Sequence, residues 1–330
     1  MLSDYELTQL TQPIIAIYNQ IEMELLEKIA KRFDVYDKIG GSLEWQLKKL
    51  DELGALTNEA VKVIASMSKR SEKEIAQMLN DASLGNIDMD LLSKAYTNGF
   101  IFVDPQKLMQ SAALRATIEL SYKELGKTYK LIQTKALESA KQAYMDVINR
   151  AYIETASGIY DYNTSIRGAL RDMADQGITG ATYRRGNKIV KYSIEGAVRR
   201  DTITAVHQLA NKGAEQSTRE IGAEYVEVSA HIGARVSNNP IANHAGWQGK
   251  VYRLDGGDKY PNLKEKTGYP DDIQGLGGVN CRHRMFPFFP GISVPNPYKV
   301  DPKENKKVYE ATQRQRAMER GIRATKKRLT

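Results

Sequence analysis

Apolar residues recur every three or four positions through the first part of the chain. The clearest series follows Pro13 and predicts an amphipathic helix, with Ser3 and Glu6 forming a capping-box pattern ahead of it. The series consists of Ile14, Ile17, Ile21, Leu25 and Ile29. Gly40-Gly41 then breaks the pattern. We predict three shorter helices after this break, and they begin near Ser42, Thr57 and Ser71.

A single long helix is predicted for residues 105–155. Asp104 and Pro105 give a strong start signal, because an acidic N-cap and a proline in the first turn both favour initiation. Apolar residues then form a seam at spacings of three and four. Its members are Ile118, Tyr122, Leu125, Tyr129 and Ile132, continued by Ala136, Ala140, Ala143, Val147 and Ala151. Such a seam packs on another helix of the same chain, which we favour, or on a second subunit.

The pattern changes beyond Gly158 to short elements of both kinds. We predict a helix over 162–175, a β-hairpin over 182–192 with a two-residue turn containing Gly186, a helix from Ser193 to Gly222, and a strand over 224–230. Residues 231–290 are rich in glycine, proline and aromatic residues, with short strands at best, and a polar helix begins near Lys303.

The predicted fold class is therefore mainly α, with long helices in the N-terminal half and a small α+β, loop-rich C-terminal domain. Four consecutive domains are predicted. They are a helical domain over 1–157, a helix, hairpin, helix and strand segment over 158–230, a compact loop-rich domain over 231–295, and a basic helical tail over 296–330.

Positive charge is concentrated in this tail. The 330-residue chain has a net charge of +8, and residues 296–330 contain eleven basic and four acidic residues, a balance of +7. The rest of the chain is therefore close to neutral. The basic residues of the tail are Lys299, Lys303, Lys306, Lys307, Arg314, Arg316, Arg320, Arg323, Lys326, Lys327 and Arg328.

A tail of this kind usually meets a polyanion. Arg316, Arg320 and Arg323 share one helical face, which Lys327 continues. One interpretation is nonspecific contact with the phosphates of double-stranded DNA. A solvated helix, or an anchor on an acidic protein surface, is an equal alternative. A helix-turn-helix reader within 57–81 is a weaker hypothesis, because base readout would need several exposed Arg, Asn or Gln residues on its second helix.

Hydropathy and cysteine content exclude other classes of protein. No stretch approaches the ~18 consecutive apolar residues of a membrane span, and the first residues lack the features of a secretory signal. We therefore expect no membrane partner. Cys281 is the only cysteine, so an intrachain disulfide is impossible and a reducing compartment is favoured.

Candidate chemistry is confined to the loop-rich domain, which contains His231, His244, Cys281 and His283. Three imidazoles and a thiolate are the ligands of a tetrahedral zinc site, although this spacing is not that of a standard zinc finger. The favoured interpretation involves no cofactor, with these side chains hydrogen-bonded to the backbone around Trp247 and an aromatic core.

The enzyme alternative is a metal-dependent nuclease that uses the same four residues. It is weaker, because the sequence around Cys281 has no recognisable orienting group or oxyanion donor. In addition, Gly275-Leu276-Gly277-Gly278 lacks the Lys-Ser/Thr pair of a phosphate-binding loop.

Several blocks of the sequence resemble the phage minor capsid protein 2 family of tailed bacteriophages. The blocks are 29–32, 44–47, 53–56, 197–201, 226–235, 247–252, 275–278, 280–283 and 287–291. Within them, we expect structural roles for the motif residues Arg235, Trp247, Gln248, Gly249, Asn280 and Arg282. The interval between Arg235 and His244 is longer than the family pattern.

The resemblance implies a structural head protein present in few copies, with no enzyme activity. It implies a location in the virion, inside the head near the portal vertex, after assembly in the host cytoplasm. Portal or major capsid proteins are the implied partners, and head assembly with DNA packaging or ejection is the implied role. A homo-oligomer formed through the long helix is a further expectation.

Overall fold

The periodic apolar positions are found on helices in a computed structural model, which describes residues 4–33, 37, 40–85, 87–108, 110–185, 187–255, 259–295 and 300–329. The fold is mainly α, as predicted. Its helices are α1 (Asp4–Gln9), α2 (Gln12–Ala30), α3 (Leu43–Leu84), α4 (Met89–Thr97), α5 (Pro105–Leu108), α6 (Ala112–Ala156), α7 (Tyr162–Gln176), α8 (Ile194–Glu220), α9 (His244–Trp247), α10 (Leu263–Thr267) and α11 (Pro302–Arg328).

Two small antiparallel sheets accompany the helices. Their strands are β1 (Thr179–Arg185), β2 (Lys188–Ser193), β3 (Tyr225–Val228), β4 (Val251–Arg253) and β5 (Met285–Phe288). The first two strands form the predicted hairpin, with Arg185 opposite Lys188; Gly186 of its predicted turn lies outside the described residues. The other three form a sheet in the order β4-β3-β5.

The three short helices predicted after residue 42 are wrong, because residues 43–84 form the single helix α3. Thr57 and Ser71 were expected to cap new helices. Their hydroxyls instead donate to carbonyl oxygens one turn back, at 2.7 Å to Leu53 and 2.8 Å to Ser68, a bond that is compatible with a helix interior. The helix-turn-helix hypothesis for 57–81 fails with them, since no turn separates two helices there.

The long helix begins seven residues later than predicted. Asp104 does initiate a helix, accepting a hydrogen bond from the backbone N–H of Gln106 at 2.9 Å, but that helix is the short α5. Ser111 then starts α6 and accepts from the backbone N–H of Leu114 at 3.3 Å. Along α6 the predicted seam is buried from Leu125 to Ala151 except at the half-buried Ala143, whereas Tyr122 is exposed. The chain therefore covers most of the seam itself, as favoured.

The chain divides into two compact units, each assembled from three segments. Unit 1 consists of Met1–Gln12, Ile75–Leu125 and Arg200–Arg316, and unit 2 consists of Pro13–Glu74, Gly126–Arg199 and Ala317–Thr330. The four domains predicted from the sequence are consecutive along the chain, whereas each of these units combines separate segments. The four domains stay a prediction. No helix in the described part of the chain has the length and apolar character needed to cross a membrane.

The core of unit 2 is built around aromatic side chains between helices. The rings of Tyr18 on α2 and Tyr129 on α6 lie 5.2 Å apart, and Trp45 on α3 contacts Tyr162 at 5.4 Å. The buried hydroxyl of Tyr144 donates to the carbonyl oxygen of Lys49 at 2.8 Å. Aromatic pairs and satisfied hydroxyls of this kind fix the packing of helices as well as burying area.

A carboxylate lies at the centre of this unit. Glu22 on α2 is fully buried and accepts from the backbone N–H groups of Ile178 at 3.2 Å and Glu195 at 3.3 Å. It also forms an ion pair with the buried Lys327 of α11. Burial raises the pKa of Glu22, against the opposing effect of Lys327 and of both backbone donors. The lysine and both backbone donors therefore offset part of the cost of burying this carboxylate.

We predict that Lys327→Met lowers the free energy of unfolding by about 3–5 kcal/mol, because it leaves the buried Glu22 carboxylate without its cation. The matched control is Arg328→Gln, which breaks the ion pair between Arg328 and Asp175 and should leave the free energy of unfolding nearly unchanged, because solvent screens an exposed pair. Urea unfolding measures both. Adding Glu22→Gln to Lys327→Met should restore part of the loss, and no recovery in the double variant would contradict the assignment.

Candidate histidine–cysteine site

The loop-rich segment of unit 1 is held in place by the three-stranded sheet and by α8. Its core contains side chains from both, including Ala214 of α8, Val226 and Val228 of β3, and Trp247 of α9. The Asn211 side chain on α8 donates to the carbonyl oxygen of His283 at 3.1 Å and accepts from the backbone N–H of Met285 at 2.9 Å. The segment containing His283 is therefore fixed to a helix at the point where β5 begins.

The structure brings together three of the four predicted residues. His244 begins α9, while Cys281 and His283 lie just before β5, and all three are buried. One potential ligand atom from each lies within 4.8 Å of the others. Cys281 Sγ is 3.7 Å from His283 Nδ1. The long interval before His244 thus does not remove this residue from the cluster.

Hydrogen bonds fix the tautomers of the two buried histidines. His244 Nε2 lies 2.7 Å from the carbonyl oxygen of Gln274, which can only accept, so this nitrogen carries the proton. His283 Nε2 donates to Gln248 Oε1 at 3.0 Å, and the same oxygen accepts from the backbone N–H of His231. Each ring therefore keeps an unprotonated Nδ1.

His231 lies beside the cluster. Its ring stacks on that of His283 with a centroid distance of 4.2 Å. Its Nδ1 is 3.2 Å from the carbonyl oxygen of Ile232, and its buried Nε2 has no hydrogen-bond partner among the described residues. It is not one of the three grouped residues, but its ring, with the unpartnered Nε2, lies against the ring of His283.

Burial keeps the clustered imidazoles neutral. It lowers the pKa of His244 to about 4 and holds the pKa of His283 well below its ordinary value, with neighbouring positive groups acting in the same direction. Neutral imidazole is the protonation state that binds a metal, and a cysteine binds as its thiolate, with release of the thiol proton to solvent. The site is therefore poised for coordination and is poorly suited to carry positive charge.

Two of the motif residues around the cluster, Trp247 and Arg235, donate hydrogen bonds to the backbone of neighbouring loops. Trp247 Nε1 donates to the carbonyl oxygen of Ile241 at 2.9 Å, and its ring lies 4.8 Å from that of His283. Arg235 donates to the carbonyl oxygens of Gln274 at 3.1 Å and Val279 at 2.8 Å. Arg235 thus secures the peptide group that orients His244.

Two turns close to the cluster need left-handed backbone. Gly249 has a φ of 65°, and its N–H donates to the carbonyl oxygen of Val228 at 3.0 Å. Asn280 has a φ of 58°, a conformation that asparagine tolerates better than most residues. Arg282 is half-buried and contributes to the positive field that lowers the pKa of His207.

His207 on α8 is a buried histidine near the site, outside the group of potential ligands, that the sequence analysis missed. It is buried, both of its ring nitrogens lack a hydrogen-bond partner among the described residues, and burial lowers its pKa to about 3. It lies far from the other histidines in sequence but close enough to influence the pKa of His283. The only available signal was its position on the apolar face of α8, four residues after Ile203 and three before Ala210.

The predicted basic helix is present as α11, and it is anchored at its start. The buried Asn305 accepts from the backbone N–H groups of Gly233 and Ala234, both at 2.9 Å, and donates to the carbonyl oxygen of Ala234 at 3.0 Å. These bonds connect the first turn of α11 to the loop that follows His231.

The basic residues of α11 are divided between internal ion pairs and solvent. Arg323 pairs with Glu195 at 3.2 Å, Lys327 with Glu22, and Arg328 with Asp175. Arg316 and Lys326 also have interaction partners, and Lys299 lies outside the described residues. The remaining predicted residues are exposed: Lys303, Lys306, Lys307, Arg314 and Arg320.

Comparison with known proteins identifies the family. A family model described as phage minor capsid protein 2 matches residues 2–330. The chain belongs to the phage minor capsid protein 2 family. A relative from Lactococcus phage LL-H, named "Structural protein", is 26% identical over 297 residues, which cover 87% of this chain and 76% of the relative. No solved structure matches the chain.

Membership of the minor capsid protein 2 family confirms the resemblance seen in the sequence blocks. It also shows that the histidine–cysteine site belongs to a bacteriophage structural protein of the virion. The buried cluster therefore lies in a capsid-associated protein.

Proposed function

We propose that this minor capsid protein is a non-enzymatic component of the head that lies inside it near the portal vertex, docks on portal or major capsid proteins, and contacts packaged DNA with α11. Family membership supports the first part of this proposal. The near-neutral body suits protein–protein docking, since a strong net charge would favour other partners. Roles in head assembly and in DNA packaging or ejection belong to the same proposal.

The exposed basic residues of α11 are the observation that carries the DNA contact. Lys303, Lys306, Lys307 and Arg314 are spaced by three, one and seven residues, which puts them on one side of the helix. Arg320 is exposed as well, nearly two turns further along, at the boundary between this side and the face that it shares with Arg323 and Lys327. This side carries four cations and one carboxylate, Glu310, so its net positive charge complements the phosphate backbone, and flexible lysines have no means of reading sequence.

Internal ion pairs decide which residues are left for this role. Lys327 is buried against Glu22, and Arg323 is bound to Glu195, so neither side chain reaches a phosphate without giving up its carboxylate. Removing the whole tail would strip Glu22 of its cation and damage unit 2 at the same time. Point substitutions on the exposed side therefore separate DNA binding from folding.

We expect Lys303→Gln, Lys306→Gln, Lys307→Gln, Arg314→Gln and Arg320→Gln combined to weaken binding to duplex DNA and to flatten its salt dependence. Five lost phosphate contacts reduce the magnitude of the slope of log K against log salt by roughly 4 to 5. Fluorescence anisotropy with two duplexes of unrelated sequence measures the slope and should show the same change for both.

The matched control neutralises five exposed lysines of the helical body: Lys48, Lys62, Lys69, Lys73 and Lys94. It changes the net charge equally, so it tests whether position or total charge matters. A slope that changes as much in the control as in the α11 variant would remove α11 as the DNA-contacting element. Unfolding midpoints of both variants should equal that of the parent protein.

The nuclease alternative has weaker support from the geometry. A catalytic metal site keeps one coordination position open to water or substrate, whereas His244, Cys281 and His283 are all buried, and His283 contacts Trp247 and Gln248. We expect the purified protein to leave plasmid DNA intact with added Mg²⁺, Mn²⁺ or Zn²⁺. Cleavage that His283→Ala abolishes would favour the enzyme.

A further inference from the structure

We propose that His244, Cys281 and His283 bind one structural Zn²⁺ and that His231 supplies the fourth ligand. This site is independent of the DNA contact, since α11 contributes none of the ligands. Its function would be to stabilise the loop-rich segment between β3 and β5, where regular secondary structure is limited to short elements.

The donor set selects the metal. Thiolate together with imidazole suits zinc, while carboxylate and carbonyl oxygens suit magnesium and calcium. Zinc–sulfur and zinc–nitrogen bonds of about 2.3 Å and 2.0 Å imply ligand atoms roughly 3.5 Å apart in a tetrahedron. The distance of 3.7 Å between Cys281 Sγ and His283 Nδ1 already matches that spacing. The ligand atoms of His244, Cys281 and His283 lie within 4.8 Å of one another, so they would have to move closer by about 1 Å to bind one ion.

The protons of the imidazoles are already directed away from the cluster. His244 donates to the carbonyl oxygen of Gln274, and His283 donates to Gln248 Oε1. A zinc-bound histidine nearly always donates its second ring N–H to an oxygen in this way, because the hydrogen bond fixes the tautomer and the ring orientation. Both outer partners exist here before any metal is added.

His231 completes the same pattern. Its Nδ1 faces the carbonyl oxygen of Ile232, which leaves Nε2 as the lone pair, and that atom is buried without a hydrogen-bond partner among the described residues. A buried nitrogen without a partner is costly unless an ion or a water satisfies it. His231 stacks on His283 with ring centroids 4.2 Å apart, so its ring lies against the group and has to reorient to bring Nε2 to a shared ion.

Closure of the site makes the role structural. Four protein ligands fill a tetrahedral zinc, whereas a catalytic zinc retains a water. With the ligands drawn from three separate stretches, at 231, 244 and 281–283, one ion would connect the end of β3, the start of α9 and the start of β5. Metal binding of this kind contributes directly to the free energy of folding.

The test begins with the full-length protein purified from zinc-supplemented cells without chelator. We expect one zinc per chain by elemental analysis. Replacement by Co²⁺ should give the intense near-ultraviolet thiolate charge-transfer band and the visible bands of tetrahedral cobalt. Substoichiometric zinc together with a cobalt spectrum lacking the thiolate band would overturn the proposal, and this outcome needs no variant that could fail to fold.

Three substitutions then assign the ligands. Cys281→Ser should abolish the charge-transfer band, and His231→Asn should keep that band but weaken zinc affinity at least about tenfold in a chelator competition. The matched control is His207→Asn, which removes a buried histidine outside the ligand set and should leave affinity unchanged. Equal loss in the His207 and His231 variants would contradict the fourth ligand, and an unchanged band in Cys281→Ser would contradict the site.

Discussion

The buried carboxylate of Glu22 is the interaction on which unit 2 depends. It accepts hydrogen bonds from residues 156 and 173 positions away and pairs with a lysine 305 positions away. A charge taken out of water this completely is tolerated only with all of its partners in place. The carboxylate therefore enforces one arrangement of α2, the start of α8 and the end of α11, and it makes the C-terminal helix part of the folded body.

This constraint changes the meaning of the basic C-terminal segment. Its charge balance of +7 reads as a cationic tail in the sequence, but the inner side of α11 is occupied by Asn305, Arg323 and Lys327, which bind loop or carboxylate groups. The cations left for a polyanion lie on the outer side. A fixed helix with exposed cations presents its charge in a defined direction, as the proposed contact with DNA requires.

Local signals in the sequence were sufficient for most of the elements. The β1–β2 hairpin, helix α7 and strand β3 were all predicted to within a few residues, because turn residues and apolar periodicity act over a few residues. The short helices predicted after residue 42 were wrong because a residue that can cap a new helix can also lie inside a continuous one. Thr57 and Ser71 are good N-caps, but they also bond back within a helix, and the continuous apolar face of α3 determined which occurred.

The candidate site was only partly accessible to sequence reasoning. The chemistry of His231, His244, Cys281 and His283 was visible in their residue types, and the structure brings three of them together. The orienting acceptors were not visible, because Gln274 acts through its backbone carbonyl and Gln248 through a side chain that bonds two different segments. Glu22, Asn211 and His207 were missed for the same reason, since each acts on residues remote in sequence.

Photo-crosslinking in intact phage particles tests the central claim most directly. A photoreactive lysine analogue placed at position 307 samples the outer side of α11, and the same analogue at position 48 samples the body. We expect position 307 to form adducts with packaged DNA and position 48 to form adducts with portal or major capsid proteins only. Particles that contain the protein but give no DNA adducts at position 307, or DNA adducts at both positions alike, would contradict the account.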